Sequence, residues 1–168
     1  GHFAGSEKAM RAFFEKIPAW RRQKIIELAQ KYLKEQNKFL PPELQITLTE
    51  FLGLIGKESM FDPGKVSNDG VASGLCQIRP LTAKSAGIKV RPLPPGKKFN
   101  PINNPDLFDM DNNIRAGVRQ LAYFRKLFAS SGFGDFAYNM GNKNLNRILM
   151  QYYPELRSLN GEFDRKKY

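Results

Sequence analysis

The stretch GLIGKESMFDPGKVSNDGVASGLCQIRPLTA, residues 53–83, decides how the chain is read. An apolar run ends in Lys57-Glu58-Ser59, a turn-rich loop follows, and Gly74-Leu75-Cys76-Gln77 then leads to Pro80. From Glu43 to about Ser59 the chain carries Leu44, Ile46, Leu48, Phe51, Leu52, Leu54 and Ile55. That segment is apolar nearly all round, which predicts a helix in the centre of a domain. A carboxylate at the end of such a helix is costly unless it is paired, hydrogen-bonded or protonated. Burial raises a glutamate pKa, and a raised pKa is what a general acid working near neutral pH requires. Most glutamates are solvated surface residues, so the weight rests on the neighbours. Gly53 and Gly56 thin one side of the helix for close approach, while Ser59, Ser67, Ser73 and Gln77 offer neutral hydrogen-bonding groups. Such groups suit an uncharged sugar better than a phosphate; plain turn chemistry uses the same residues.

Outward from this stretch the chain reads as helices. Residues 19–36 predict an amphipathic helix with Ile25, Ile26, Ala29, Tyr32 and Leu33 on one face. Pro41-Pro42 suits the start of the next helix. Asp62 to Gly74 reads as loop, and Pro80 opens a short helix that Gly87 closes. Residues 89–106 form a Pro-rich excursion without periodicity, long enough for a binding loop. Leu107 to about Ala129 predicts a second amphipathic helix, with Met110, Ile114, Val118, Leu121, Phe124 and Phe128 at helical spacing. A shorter helix is expected over LNRILMQYY, residues 145–153. No run alternates convincingly as a strand and no repeat is present. The expected fold class is all-α, with little or no sheet beyond a hairpin in the loops.

Composition bounds the function. A chain of 168 residues suits one compact domain, and 41% hydrophobic with 26% charged content is ordinary for a globular protein. No apolar run approaches the length of a membrane span, and the N-terminal residues show no export signal. The single cysteine, Cys76, excludes an internal disulfide and a Cys-rich metal site. The single histidine, His2, leaves little room for a Ser-His-Asp or Cys-His arrangement. No metal or other cofactor is expected. A net charge of +11 calls for a polyanionic partner or surface: nucleic acid, anionic lipid or an anionic cell-wall polymer. The charge is spread over several short clusters rather than gathered on one helix, which speaks against nucleic acid.

Three blocks, in order, carry a family resemblance. Glu58-Ser59, Phe61-Asp62-Pro63 and Val66-Ser67 resemble an ES.F.P.A.S signature. Gly74-Leu75-Cys76-Gln77-Ile78 with Pro80, Thr82 and Ala83 resembles GLMQ..P.TA, and Ala137-Tyr138-Asn139-Met140-Gly141 resembles AYNAG. Between them, Leu107 to Gly117 resembles the NI..G start of a long helix. From about Leu52 to Ile148 the sequence resembles the soluble lytic transglycosylase catalytic domain, a relative of goose-type lysozyme. Three departures stand out: Cys76 in place of Met, Met140 in place of Ala, and one extra residue between Ser67 and Gly74.

The resemblance implies cleavage of the β-1,4 bond between N-acetylmuramic acid and N-acetylglucosamine in peptidoglycan. Glu58 matches the family's single catalytic glutamate, general acid to the glycosidic oxygen and then general base on the C6 hydroxyl. The product is a 1,6-anhydro sugar, and assistance from the substrate's N-acetyl group removes the need for a carboxylate nucleophile. By position Ser67 contacts the N-acetyl group, Ser73, Gln77, Tyr138 and Asn139 line the cleft, and Ser59 supports the helix end. Asp62 and Asp69 are read as turn or cap residues; a water held by either across the cleft would instead give a hydrolase. The rivals are thus a lysozyme-type hydrolase and an inactive peptidoglycan-binding or secretion-assembly module. Residues 1–41 are expected to be an N-terminal helical extension packing on the core, 42–153 the lysozyme-like core, and 154–168 a tail or helix. The expected setting is the periplasm or cell envelope, with glycan strands as partner. Lys89–Asp106 is a candidate for contacts to the glycan, its peptides or a protein.

Overall fold

The computed structural model describes Lys8, Ala12 and residues 14–128. The described residues are helical, without a named strand. The longer helices are α1 (Ala19–Asn37), α2 (Leu48–Ser59) and α5 (Met110–Phe128); α3 (Pro80–Ser85) and α4 (Pro105–Phe108) are short, and Pro42–Leu44 is a 3-10 turn. The all-α expectation holds. Two compact units divide the chain: Gly1–Glu35 with Thr47–Arg119, and Gln36–Ile46 with Gln120–Tyr168.

In the first unit, α1 buries Ile25, Leu28, Ala29, Tyr32 and Leu33. The buried stripe therefore runs through Leu28 rather than Ile26, which is half-buried. Positions 25, 28, 29 and 32 follow the i, i+3, i+4, i+7 series, and Ile26 lies one step off it. The Tyr32 hydroxyl donates to the Asp111 carboxylate, tying α1 to the first turn of α5. Burial, reinforced by that hydrogen bond, pushes the Tyr32 phenol up to about 12.

Helix α2 begins at Leu48, later than the apolar pattern predicts. Thr47 is its N-cap, accepting from Glu50 N at 3.1 Å while its hydroxyl donates to Glu50 Oε1 at 3.0 Å. A capping pair of this kind fixes the start more strongly than apolar content does. Nor is α2 buried all round. Phe51, Leu54 and Ile55 face the core, whereas Glu50, Gly53 and Lys57 make an exposed stripe at i, i+3, i+7 spacing. The helix thus has a wet side and a dry side.

Helix α3 ends as predicted. Gly87 has φ +75°, Gly87 N donates to Lys84 O, and Ile88 N donates to Ala83 O, the two bonds of a Schellman motif. The single helix expected from Leu107 is broken at Asp109, whose carboxylate accepts from Asn112 N at 3.0 Å and caps α5. Beyond it Ile114 and Val118 are buried as expected, and so is the polar Asn113.

In the second unit, Asn37 exchanges two hydrogen bonds with the backbone of Ile46. Leu121, Phe124 and Phe128 are buried there. The fully buried Arg125 donates to the carbonyls of Leu44 and Gln45 at 3.2 and 2.8 Å.

Candidate active site

The dry side of α2 continues to its last turn. Counting back from Glu58, positions 55, 54 and 51 are the buried Ile55, Leu54 and Phe51, so helical geometry aligns the carboxyl with the apolar stripe. Glu58 is half-buried and makes no hydrogen bond among the described residues. Burial pushes its carboxyl up to about 7, against a smaller opposing pull from Lys57. The C-terminal end of a helix dipole acts in the same direction. Gly53, one helical turn back on the wet side, is exposed, and a Cβ built there would meet nothing within 4 Å. Gly56 is buried.

The helix stops abruptly after Ser59. Ser59 is buried and its hydroxyl donates to Ile55 O at 3.1 Å, a bond within the helix rather than toward a ligand. Met60 and Phe61 then take φ of 53° and 61°, both in the left-handed region. Two consecutive non-glycine residues there are costly, on the order of 1 kcal/mol each. Burial of Phe61, whose ring lies 4.7 Å from that of Phe14, offsets part of the cost. The αL cap at Met60 donates its N–H to Gly56 O, and the sharp exit leaves Glu58 in the final turn.

The loop that follows is held by short-range bonds. Asp62 Oδ1 accepts from Gly64 N at 2.9 Å, a turn role as expected. Ser67 begins a turn closed by Gly70 N on Ser67 O at 2.9 Å, with Gly70 at φ +81°. Within it the Ser67 hydroxyl donates to Asp69 Oδ1 and accepts from Ala72 N at 2.9 Å. Asp69 also accepts from Val71 N and, through Oδ2, from Arg79 Nη2 at 3.2 Å. Those donors, the Ser67 hydroxyl first, hold the Asp69 carboxyl below its usual range. Phe99, buried, donates its N–H to Gly70 O and pins the Pro-rich excursion to this turn.

Ser73 and Gln77 occupy different environments. Ser73 is fully buried, bridged to Val66 and to Ile78 in the small hairpin hidden in the loops. Its hydroxyl has no hydrogen-bond partner among the described residues. Gln77, half-buried with φ 50°, donates from Nε2 to Gly74 O at 2.9 Å and Lys65 O at 3.1 Å. Gln77 Oε1 accepts no hydrogen bond among the described residues.

Sequence reasoning missed the residue that secures this loop. Asn113 is fully buried; its Nδ2 donates to Ser73 O and Leu107 O, each at 2.9 Å, and its Oδ1 accepts from Cys76 N at 2.8 Å. All three side-chain bonds go to backbone, so α5 holds the 73–76 segment by its main chain. An asparagine inside an otherwise apolar helix face was the available signal. Cys76 is buried, as expected of a small apolar residue. Tyr138 and Asn139, with the rest of the third block and residues 145–153, lie outside the described residues.

A cavity of about 250 Å³ opens in the Pro-rich excursion, lined by Lys89, Val90, Arg91, Asn103, Asn104, Pro105 and Asp106. Glu58 is not part of that lining. Among the described residues no group of His, Cys, Asp or Glu could hold a metal ion, and no helix is long and apolar enough to cross a membrane.

The buried hydroxyl of Ser73 yields a direct expectation. Ser73→Ala removes a polar atom that has no partner among the described residues, so stability should be unchanged or rise by up to ~1 kcal/mol. Thermal unfolding checks it. A loss above ~1 kcal/mol would mean that the hydroxyl is bonded in solution.

The ordered blocks, the half-buried glutamate and the clipped loop now meet an independent comparison. The family model described as "Transglycosylase SLT domain" matches residues 42–159, well over half of the chain. No curated protein and no solved structure matches. With the Glu58 turn and the loop that follows it both inside the matched span, the chain belongs to the transglycosylase SLT domain family.

Proposed function

We propose that the chain is a peptidoglycan lytic transglycosylase in which Glu58 does both proton transfers. Family membership implies peptidoglycan cleavage of the lytic transglycosylase type; the residue, the bond and the product are our reading. The observation that carries it is Glu58 itself: half-buried, without a hydrogen-bond partner among the described residues, and pushed up to about 7. A carboxyl in that range can give a proton and take one back near neutral pH.

In this reading Glu58 protonates the oxygen of the β-1,4 bond between N-acetylmuramic acid and N-acetylglucosamine, and the C1–O bond breaks. The substrate's N-acetyl group stabilises C1. The Glu58 carboxylate then takes the proton of the C6 hydroxyl as its oxygen closes on C1. The result is the 1,6-anhydro sugar, with no water consumed and the acid restored. Ser67 and Gln77 bind the sugar, with Tyr138 and Asn139 completing the cleft by resemblance. Ser73 shapes the loop rather than touching the sugar, because it is fully buried and its backbone N–H and C=O are bonded to Ile78 and Asn113. No cofactor takes part.

A second carboxylate across the cleft, holding a water, would favour a hydrolase. Asp62 and Asp69 support that alternative poorly, since each spends carboxylate oxygen on its own turn. Digestion of purified peptidoglycan followed by mass spectrometry separates the outcomes. Products one water lighter than hydrolysed fragments are expected, and reducing ends would overturn the transglycosylase assignment. The exposed Lys89, Arg91, Lys97 and Lys98 suit the peptide carboxylates of the wall or an acidic protein partner. We place the protein in the periplasm or cell envelope on the same reasoning. We assign residues 1–41 as an extension bracing the core, 42–153 as the catalytic core and 154–168 as a tail.

A further inference from the structure

The Ser67 hydroxyl has one proton, and the loop has already used it. It donates to Asp69 Oδ1 and accepts from Ala72 N at 2.9 Å. A serine oxygen has two lone pairs, so one acceptor position is left and no donor. Asp69 in turn is held from both sides: Val71 N donates to Oδ1 at 3.2 Å and Arg79 Nη2 to Oδ2 at 3.2 Å. Asp69 and Arg79 are exposed, and among the described residues they make an ion pair. An exposed pair of this kind adds little to stability, so its geometry calls for another account.

The geometry points to Asp69 as a positioning residue that fixes the Ser67 hydroxyl as a pure hydrogen-bond acceptor, selecting an amide N–H of the sugar rather than its carbonyl. This deepens the functional reading above and rests on Ser67 meeting the substrate. Without Asp69 the hydroxyl could rotate and offer its proton instead, and the turn would bind either end of an acetamido group loosely. Arg79 holds the second carboxylate oxygen so that Oδ1 stays toward Ser67 and Val71. The chain carries one residue more between Ser67 and Gly74 than the pattern it resembles, and Asp69 lies in that stretch.

Steady-state kinetics on soluble, uncrosslinked N-acetylated glycan strands test the idea with five variants. Asp69→Ala should raise KM ~5-fold, the value of about one hydrogen bond, with kcat within twofold. Asp69→Asn keeps an acceptor that the Val71 N–H orients toward the turn, so KM should stay within about twofold. Arg79→Gln keeps an N–H that can donate to Asp69 Oδ2, so it should likewise change KM by no more than about twofold. Ser67→Ala should raise KM at least as much as Asp69→Ala, and adding Asp69→Ala to Ser67→Ala should change nothing further. An equal KM rise from Asp69→Ala in both backgrounds overturns the inference, as does Asp69→Asn behaving like Asp69→Ala. So does a fall in kcat and melting temperature without a KM change, which marks a purely structural role. If Ser67→Ala leaves KM unchanged, the assigned role of Ser67 fails and this inference with it. If Ser67→Ala raises KM while Asp69→Ala does not, only the present inference fails.

Discussion

Glu58→Gln is expected to lower peptidoglycan cleavage by at least ~10³-fold while making the folded protein more stable above neutral pH. The two effects share one cause. A side chain on the apolar stripe of α2, at the turn where the helix ends, keeps its proton because burial disfavours the charge. Glutamine fills nearly the same space but can neither give a proton nor accept one, so both proton transfers are lost together. The stability effect has a definite sign. Burial pushes the folded carboxyl up to about 7 from its ordinary 4.5, so between those values the folded state binds more protons than the unfolded one. Stability then falls as pH rises through that window, and the loss is complete above it. A half-buried carboxyl is partly screened by water, so the loss is ~1–2 kcal/mol rather than the full linkage value. Glu58→Gln removes it. The variant should therefore match the parent below pH ~4.5 and exceed it by ~1–2 kcal/mol at pH 8. Denaturant unfolding at the two pH values, with digestion assays beside it, measures both. Retained lysis would end the catalytic assignment. An unchanged stability difference across pH would mean that the carboxyl is not buried as described. Cleavage by the parent protein should also decline above pH ~7, as the acid loses its proton.

What the sequence disclosed and what it hid divide along physical lines. Periodicity found α1 and α5, and Pro80 with Gly87 bounded α3, because these signals are local. It misplaced the start of α2 because Leu44 and Ile46 are buried from a 3-10 turn and an extended segment, which apolar content does not distinguish from helix. Thr47 with Glu50 three residues on was a readable cap that the apolar count overrode. It found Glu58 through the conflict between its charge and its apolar stripe, an inconsistency visible in one dimension. Ser67, Ser73 and Gln77 looked alike in composition, yet the fold gives the first an occupied donor, encloses the second and leaves the third an open oxygen. Those differences depend on which backbone atoms come within reach, and spacing does not encode that. Asn113 lies 40 residues from the serine carbonyl it binds, so no local rule could pair them.

That long-range clip leads to the largest stability loss we expect. Asn113→Asp replaces an amide that donates to Ser73 O and Leu107 O with a carboxylate facing two carbonyls in a fully buried site. The loss of two donors and the burial of a charge should cost more than ~3 kcal/mol, a large fraction of a domain's stability. Asn113→Ala should cost ~2–4 kcal/mol, chiefly because Cys76 N loses its acceptor inside the protein. Gly74 meets the same amide from the other side. It has φ +79°, and a Cβ built on it would lie 2.3 Å from Asn113 Nδ2. Gly74→Ala must therefore either push the amide off its three partners or distort the turn that carries Gln77. The two sites are coupled by one atom, so their effects should not add. Once Asn113→Ala has removed the amide, Gly74→Ala should cost only its backbone penalty of ~1 kcal/mol. The double variant should fall short of the sum of the single variants by at least ~1 kcal/mol. Chemical denaturation of the parent, both single variants and the double gives that coupling directly. Additivity within ~0.5 kcal/mol would mean that the close approach of Gly74 to Asn113 is not what requires a glycine there.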